Sequence, residues 1–341
     1  MSRRCGTIQS GGRGVSRVSV VIPIFRSLAY VEVCLKSVLG QTRPVDQIIL
    51  VDDCGGDESM AVAGEYLDDH GVSYEVVTHP VNRGLGCARN SGLAAATGDL
   101  VWFLDSDDEA DERFVETLAG AIDAYDADFA CCRTLRVDES GSTLRIDEPP
   151  VPAAALTGVE FARLLIRGNA KAYACTKLFR REILGDKPWD EGQGYEDIAA
   201  MIRLSLRVNT VALLDEPLYR YLYREGSIST ALSRRTLDLF KVSHDAEEEL
   251  ALHGLRQDWS EDFLAFRYRE VLTSVAHVAM RADHQAPTRP ELYDEALTRV
   301  RRAVTMRDAA ALIRAGHRRE ALFALLVKTS PQFYSSVLRY R

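Results

Sequence analysis

One rhythm constrains this chain more than anything else in it: through its first half, a short β-branched apolar run is repeatedly followed by an amphipathic stretch. That alternation writes a parallel sheet with crossover helices. Strands are predicted over 18–25 (VSVVIPIF), 47–51 (QIILV), 73–78 (SYEVVT), 100–104 (LVWFL) and 128–132 (DFACC), with helices near 28–39, 58–70, 86–96 and 112–126. Continuous apolar runs such as VVIPIF and LVWFL suit strands covered by helices on both faces. In such sheets ligands bind beyond the carboxyl ends of the strands, so those ends are where chemistry is sought.

From 137 to 158 the periodicity lapses into an acidic, Pro-rich stretch that reads as a boundary or exposed excursion. Helical patterns near 159–167, 197–206 and 233–253 then surround strand-like pieces at 210–214 and 218–223, and the chain from about 255 reads as mostly helix. The expected division is a basic flexible arm (1–17), a first half (18–135), a second half (136–232) and a helical C-terminal region (233–341).

Composition narrows the class. At 46% hydrophobic and 27% charged residues, the chain is neither disordered, collagenous nor a disulfide scaffold. No apolar run of about 18 residues suggests a spanning helix, and residues 1–17 carry four arginines without the apolar core of a secretory signal. Seven cysteines without a C-x-x-C pair suit a reducing cytoplasm. The net charge of −8 hides an asymmetry: residues 299–341 carry ten Arg/Lys against two acids, residues 1–17 add +4, and the middle is left at −20. Such a middle repels nucleic acid unless metal ions intervene, while the basic ends suit an anionic surface.

Two acidic clusters sit where strands end. Asp105, Asp107 and Asp108 follow the fourth strand, and three carboxylates so close repel one another unless a cation or donors stand near. Oxygen ligands of this kind suit Mg²⁺ or Mn²⁺, and the same acids equally suit capping of the next helix. Asp52 and Asp53 follow the second strand, where a carboxylate accepts ribose hydroxyls or a base N–H, or else builds an Asx turn. The segment Asn82 to Gly92 (NRGLGCARNSG) hints at a dinucleotide fingerprint, yet Arg89 stands where its third glycine belongs. Its glycines suit a tight helix entry, with Arg83 or Arg89 free to meet a base or phosphate. Glu196 and Asp197 open a helix after a glycine loop, and there a carboxylate serves either as a general base or as a cap. Lys177 to Arg181 and Tyr219 to Ser229 are sources of cations for phosphate or ordinary solvated faces. Motifs of zinc hydrolases, α/β-hydrolases and P-loop enzymes are missing.

Taken in order, VSVVIPIF, CLKSVLGQT, IILVDD, NRGLGCARNSG, GDLVWFLDSDD and YED resemble the inverting glycosyltransferases of family 2 with the GT-A fold, over residues 18–230. TKLFRREIL through YED to REGSIS is similar to the branch that builds bacterial capsule and related polysaccharides. The resemblance implies an α/β, Rossmann-like, mostly parallel sheet plus a helical C-terminal region. It implies transfer from a nucleoside-diphosphate sugar, UDP-linked, to a glycan, lipid-linked or small-molecule acceptor. Pro23, Phe25, Asp53 and Arg83 would line the base pocket, Asp105 would lie near the ribose, and Asp107 would ligate the metal with Asp108 in support. Asp197 would be the general base, Glu196 its neighbour toward the acceptor, and Arg224, Gly226 and Ser227 would close over the diphosphate. The chain departs from the family with Arg26 in place of the usual Asn, and with Cys54-Gly55 in place of Gly-Ser after the acidic pair.

Two other readings compete. A sugar nucleotidyltransferase should carry a Gly-rich cationic loop after its first strand, which Arg26 to Ala29 is not. A non-catalytic sugar-nucleotide-binding subunit has no use for both Asp107 and Asp197. In the tail, spacings of 7 and 11 put Arg307, Arg314 and Arg318 on one helical face, with Leu322, Leu325 and Leu326 as an apolar side. That pattern suits either a peripheral anchor at the inner face of an anionic membrane or a bundle packed on the enzyme or a second subunit.

Overall fold

The structure, a computed structural model, describes residues 16–151, 154–224, 231–286 and 288–338. The first half follows the expected rhythm: β1 (Val18–Ile24), α1 (Val31–Leu39), β2 (Gln47–Asp52), α2 (Ser59–Asp69), β3 (Glu75–Thr78), α3 (Leu85–Ala95), β4 (Leu100–Phe103), a two-residue β5 (Glu109–Ala110), α4 (Phe114–Tyr125) and β6 (Phe129–Cys131). The second half adds β7 (Thr134–Val137), β8 (Thr143–Ile146), β9 (Ala154–Thr157), α5 (Gly158–Arg167), β10 (Lys177–Arg180), α6 (Ile198–Ser205), β11 (Thr210–Leu213) and β12 (Tyr219–Leu222).

An eight-stranded sheet in the order β3-β2-β1-β4-β10-β6-β11-β9 runs through both halves. Strands β1 to β4 are mutually parallel, with Ile24 beside Asp52 and Val21 beside Phe103, so β1, β2 and β4 end at one edge. Alternate side chains serve two cores. Val20, Ile22 and Ile24 pack toward α1, α2 and α4, whereas Val21 packs with Phe103, Phe179 and the α5 and α6 residues Phe161 and Met201. The smaller sheet, β5-β12-β7-β8, stands beside the acidic turn after β4.

Sequence periodicity misses the short β5 and β7 as well as β8, β9 and β10. Strands β8 and β9 lie in the stretch expected to be an excursion, and their four-residue length and exposed or half-exposed side chains leave no apolar alternation to detect. Strand β10 is the segment expected to supply cations, and it is instead inserted antiparallel between β4 and β6. Its Lys177 is buried, donating from Nζ to the carbonyls of Lys171 and Tyr173 at 2.7 Å each. Arg180 and Arg181 donate to the carbonyls of Ala127 and Gly98.

Beyond the sheets come α7 (Arg234–Leu237), α8 (Leu239–Leu252), α9 (Ser260–Phe266), a π-helical segment (Arg267–Thr273), α10 (Ser274–Gln285), α11 (Tyr293–Ala303), α12 (Met306–Arg314), α13 (Arg318–Thr329) and α14 (Pro331–Leu338). Trp259, Phe263 and Phe266 complete the core beneath α5 and α6, and Met280, Val300, Leu312 and Phe323 belong to a third core of the helices' own. The basic tail is therefore packed structure. Arg307 and Arg314 share α12, but Gly316, at φ +85, ends that helix and Arg318 begins the next, so the three do not share one helical face. Among the described residues no helix is long and apolar enough to cross a membrane.

Candidate active site

The edge shared by β1, β2 and β4 gathers the first acidic groups. Near the end of β1, Pro23 is buried within the strand, and just past it Phe25 is exposed with the Arg26 guanidinium 5.1 Å from its ring centroid. Arg26 and Cys54 both adopt left-handed backbone, at φ 52 and 57. These are the two positions where the chain departs from the family's usual Asn and Gly, the residues that visit this region most readily. The substitutions thus leave the turn shape in place and add local strain.

Asp53, buried just past β2, accepts four hydrogen bonds: from His79 Nδ1 at 2.7 Å, Asn82 Nδ2 at 2.9 Å, Arg83 N at 2.8 Å and Gly84 N at 2.9 Å. A carboxylate offers about four lone-pair sites, and all are used. Asp53 thereby fixes the loop that enters α3 and holds Arg83 at the rim, where the guanidinium lies 3.9 Å from Glu191. Its neighbour Asp52 is half-exposed, and its carboxylate accepts the Cys54 N–H at 2.9 Å.

The turn after β4 divides three carboxylates among three surroundings. Asp108 is buried and accepts from Tyr219 Oη and Leu222 N, at 2.8 Å each, which ties the turn to β12. Burial, then the charges of Asp107 and Asp105, push its carboxyl well above the usual range against these two donors. Asp107 is half-exposed and pairs with Arg224 at 2.6 Å. Asp105 receives Arg89 at 2.6 Å. Asp105, Asp108 and buried Cys175 bring ligand atoms within 4.8 Å of one another. Asp107 best fits a hard divalent cation, because it offers carboxylate oxygen at an accessible position, whereas Asp108 has both oxygens engaged and burial holds the Cys175 thiol protonated.

Helix α3 joins this edge to the second half. Gly84 opens it at φ +86, and Gly86 lets Asp190 approach so closely that a Cβ would collide with the Asp190 carbonyl. Asn90 then exchanges hydrogen bonds with the Trp189 backbone, at 2.8 and 3.2 Å, docking the loop that leads to Glu196 and Asp197. Arg89 is buried beside the Trp189 ring and donates 2.6 Å bonds to both Asp105 and Glu196. It is not free to meet a base or phosphate.

Glu196 is buried in that pair, and Asp197 is half-exposed at the start of α6. Desolvation first and the Glu196 charge second push the Asp197 carboxyl up to about 7, with Arg89 pulling the other way. Tyr195, immediately before the pair, is held at φ 58. A carboxyl so poised is half ionised near neutrality, as a proton acceptor needs.

Arg89 therefore ties Asp105 to Glu196, with Asp197 next in the chain, Arg224 paired with Asp107 on the same turn as Asp105, and Asp53 at the entry to α3. Ser227 and Gly226 lie outside the described residues. Sequence reasoning missed the bridging position of Arg89, the His79 and Asn82 donors and the Tyr219 hydroxyl. The only local sign was an arginine where a fingerprint glycine was expected.

Residues 19–186, about half of the chain, match the family described as Glycosyl transferase family 2. Among relatives, the chain is 28% identical over 222 residues to glycosyltransferase GlyG of Streptococcus pneumoniae, covering 62% of this chain and 72% of GlyG. It is 29% identical over 265 residues to the cholesterol galactosyltransferase of Borreliella burgdorferi, covering 74% of each. Residues 1–349 of TarS from Staphylococcus aureus, solved with UDP-GlcNAc, superpose at a TM-score of 0.65 with 20% identity, covering 92% of this chain and 91% of that one, which shows a shared fold that extends into the helical region. With the matched segment running from β1 past β10 and containing the acidic edge, the chain belongs to glycosyl transferase family 2 and is a glycosyltransferase of the GT-A fold.

Proposed function

We propose that this glycosyltransferase moves a sugar from a nucleoside-diphosphate donor, UDP-linked, to an acceptor hydroxyl with inversion, in glycan or glycoconjugate biosynthesis in the cytoplasm. The observation that carries the reading is the Arg89 bridge from Asp105 to Glu196, which is next to Asp197 in the chain; it supports a donor side and an acceptor side that meet there. The UDP-GlcNAc complex of the similarly folded TarS supports the donor class, and the named galactosyl transfer of a relative supports the reaction.

Residues 18–135 hold the donor and 136–232 carry the acceptor side. Asp53 shapes the base pocket by fixing the loop at 82–84, with Phe25 and Arg83 at its rim and Pro23 beneath. Asp107 would hold Mg²⁺ or Mn²⁺, which when bound offsets charge on the departing diphosphate. Asp108 braces the turn from below. Arg224, which pairs with Asp107, would supply a second positive charge to the same phosphates. Asp197 takes the acceptor's proton as the hydroxyl oxygen attacks the anomeric carbon. The new glycosidic bond forms on the face opposite the breaking bond to diphosphate, and inversion is the consequence.

The test is Asp197→Asn. Transfer should fall by about 10²–10⁴ while UDP binding, followed by calorimetry, is retained. Undiminished turnover would remove the base assignment. Release of UDP together with glycosylated acceptor is expected from the wild-type chain. Pyrophosphate release would identify a nucleotidyltransferase, and UDP binding without turnover on any acceptor would identify a binding subunit.

A further inference from the structure

The C-terminal helices present a surface that none of the three cores uses. On α12, Ala309 and Leu312 enter the helical core, while Met306, Ala310 and Ile313, spaced by four and three residues, form one outward stripe. Met306 is 52% and Ile313 56% exposed, and the exposed Arg307 and Arg314 run alongside. The next helix repeats the arrangement. Ala321, Ala324 and Val327 of α13 enter the same core, and Leu322, 56% exposed, stands outward beside the exposed Arg318 and Arg319. Helices α12 and α13 pack against each other across a turn at 315–317, and with both buried faces in one core both outer faces look away from it.

The acids of this region do not neutralise that face. Asp308 lies on the inner side of α12, accepting from the Tyr268 hydroxyl at 3.0 Å, and Glu320 is half-buried. Large apolar side chains left bare beside arginines, on two consecutive helices, are the pattern of a helix lying in the lipid headgroup layer. A nucleic-acid surface would call for the cations without the bare Met, Ile and Leu. The charge of −20 over 18–298 also repels a negative surface, so the basic end is the one that approaches.

We propose that the outer face of the α12–α13 hairpin docks on an anionic phospholipid membrane, with Met306, Ile313 and Leu322 entering the headgroup–acyl boundary and the four arginines meeting lipid phosphates. This goes beyond the sugar-transfer reading and does not depend on it. The test is flotation of the full chain with phosphatidylcholine vesicles, with or without phosphatidylglycerol. Wild type should float with the phosphatidylglycerol vesicles only, and added salt should weaken the association. The quadruple variant R307Q/R314Q/R318Q/R319Q should lose affinity on the order of a hundredfold or more. The triple variant M306S/I313S/L322S should lose on the order of tenfold or more. Circular dichroism and UDP binding should match wild type in both.

Failure of wild type to float, or flotation of both variants equal to wild type, overturns the proposal. So does full retention by the serine variant alone, which would mean charge attraction without insertion. A wild-type dimer in light scattering that the serine variant turns into a monomer, without vesicle binding, would instead make the face a contact between copies.

Discussion

Arg89 is the residue that joins the turn after β4 to the loop before α6. A buried guanidinium with two carboxylates at 2.6 Å stays charged, and Asp105 and Glu196 together hold it well above its ordinary range against desolvation. Its charge also restrains the rise of the Asp197 pKa. The sign for activity follows directly. The proposed base, Asp197, must be unprotonated, so transfer should fall as pH drops below about 7, where it gains its proton. Arg89→Gln removes a restraining positive charge and should move that acidic limb upward, at a stability cost of about 3–5 kcal/mol for orphaning buried carboxylates. Arg89→Lys should restore the limb toward its wild-type position. A pH–rate profile for kcat separates this from a merely structural loss, which would lower the plateau and leave the limb in place. None of this was legible locally, because the sequence places Arg89, Asp105 and Glu196 far apart and only the packing of α3 against the loop at 189–197 brings them together.

At the scale of elements, the acidic turn after β4 works because another sheet holds it. Strand β12 pairs with β5 immediately after the turn, and Tyr219 and Leu222 reach from β12 to the two oxygens of Asp108. Tyr219 is fully buried, and burial and the Asp108 charge push its phenol well above the usual range, so it remains a donor to Asp108. Tyr219→Phe should leave one oxygen of a buried carboxyl unsatisfied, costing about 1–3 kcal/mol in urea unfolding. It should also weaken Mn²⁺-dependent UDP binding by calorimetry, since Asp107 shares the turn. Unchanged UDP affinity in a destabilised variant would separate the brace from the donor site. The carboxylates were readable as a cluster at a strand end, but the division into buried Asp108, paired Asp105 and accessible Asp107 depends on β12, more than a hundred residues later.

Over the whole molecule, the helical region is part of the enzyme's core. Trp259, Phe263 and Phe266 pack beneath α5 and α6, and Asp262 pairs with Arg163 and Arg167 of α5 at 2.9 and 3.0 Å. Asp238, between α7 and α8, accepts the Gly194 N–H at 2.8 Å and so steadies the loop that carries Glu196 and Asp197. A chain ending at residue 232 would lose three buried aromatics, each worth about 3–5 kcal/mol, against a total stability of about 5–15 kcal/mol. Such a chain is expected to lose its cooperative thermal transition. A sharp calorimetric transition in it would show that the sheet-bearing part folds without the C-terminal helices. The sequence marked a change of pattern near 233, and that change is one of local periodicity rather than of packing.

The sequence by itself determined the layers, the parallel first half and the acidic character of its ligand-facing edge, because apolar periodicity and strand-end position are local properties written in consecutive residues. Only the tertiary structure decided that Lys177 to Arg180 is a central strand, that Asp53 spends its lone pairs on its own loop, and that Arg89 joins the turn after β4 to the loop before α6. Those outcomes turn on burial and on contacts between distant segments, and desolvation acts on a side chain only once the rest of the chain has closed around it.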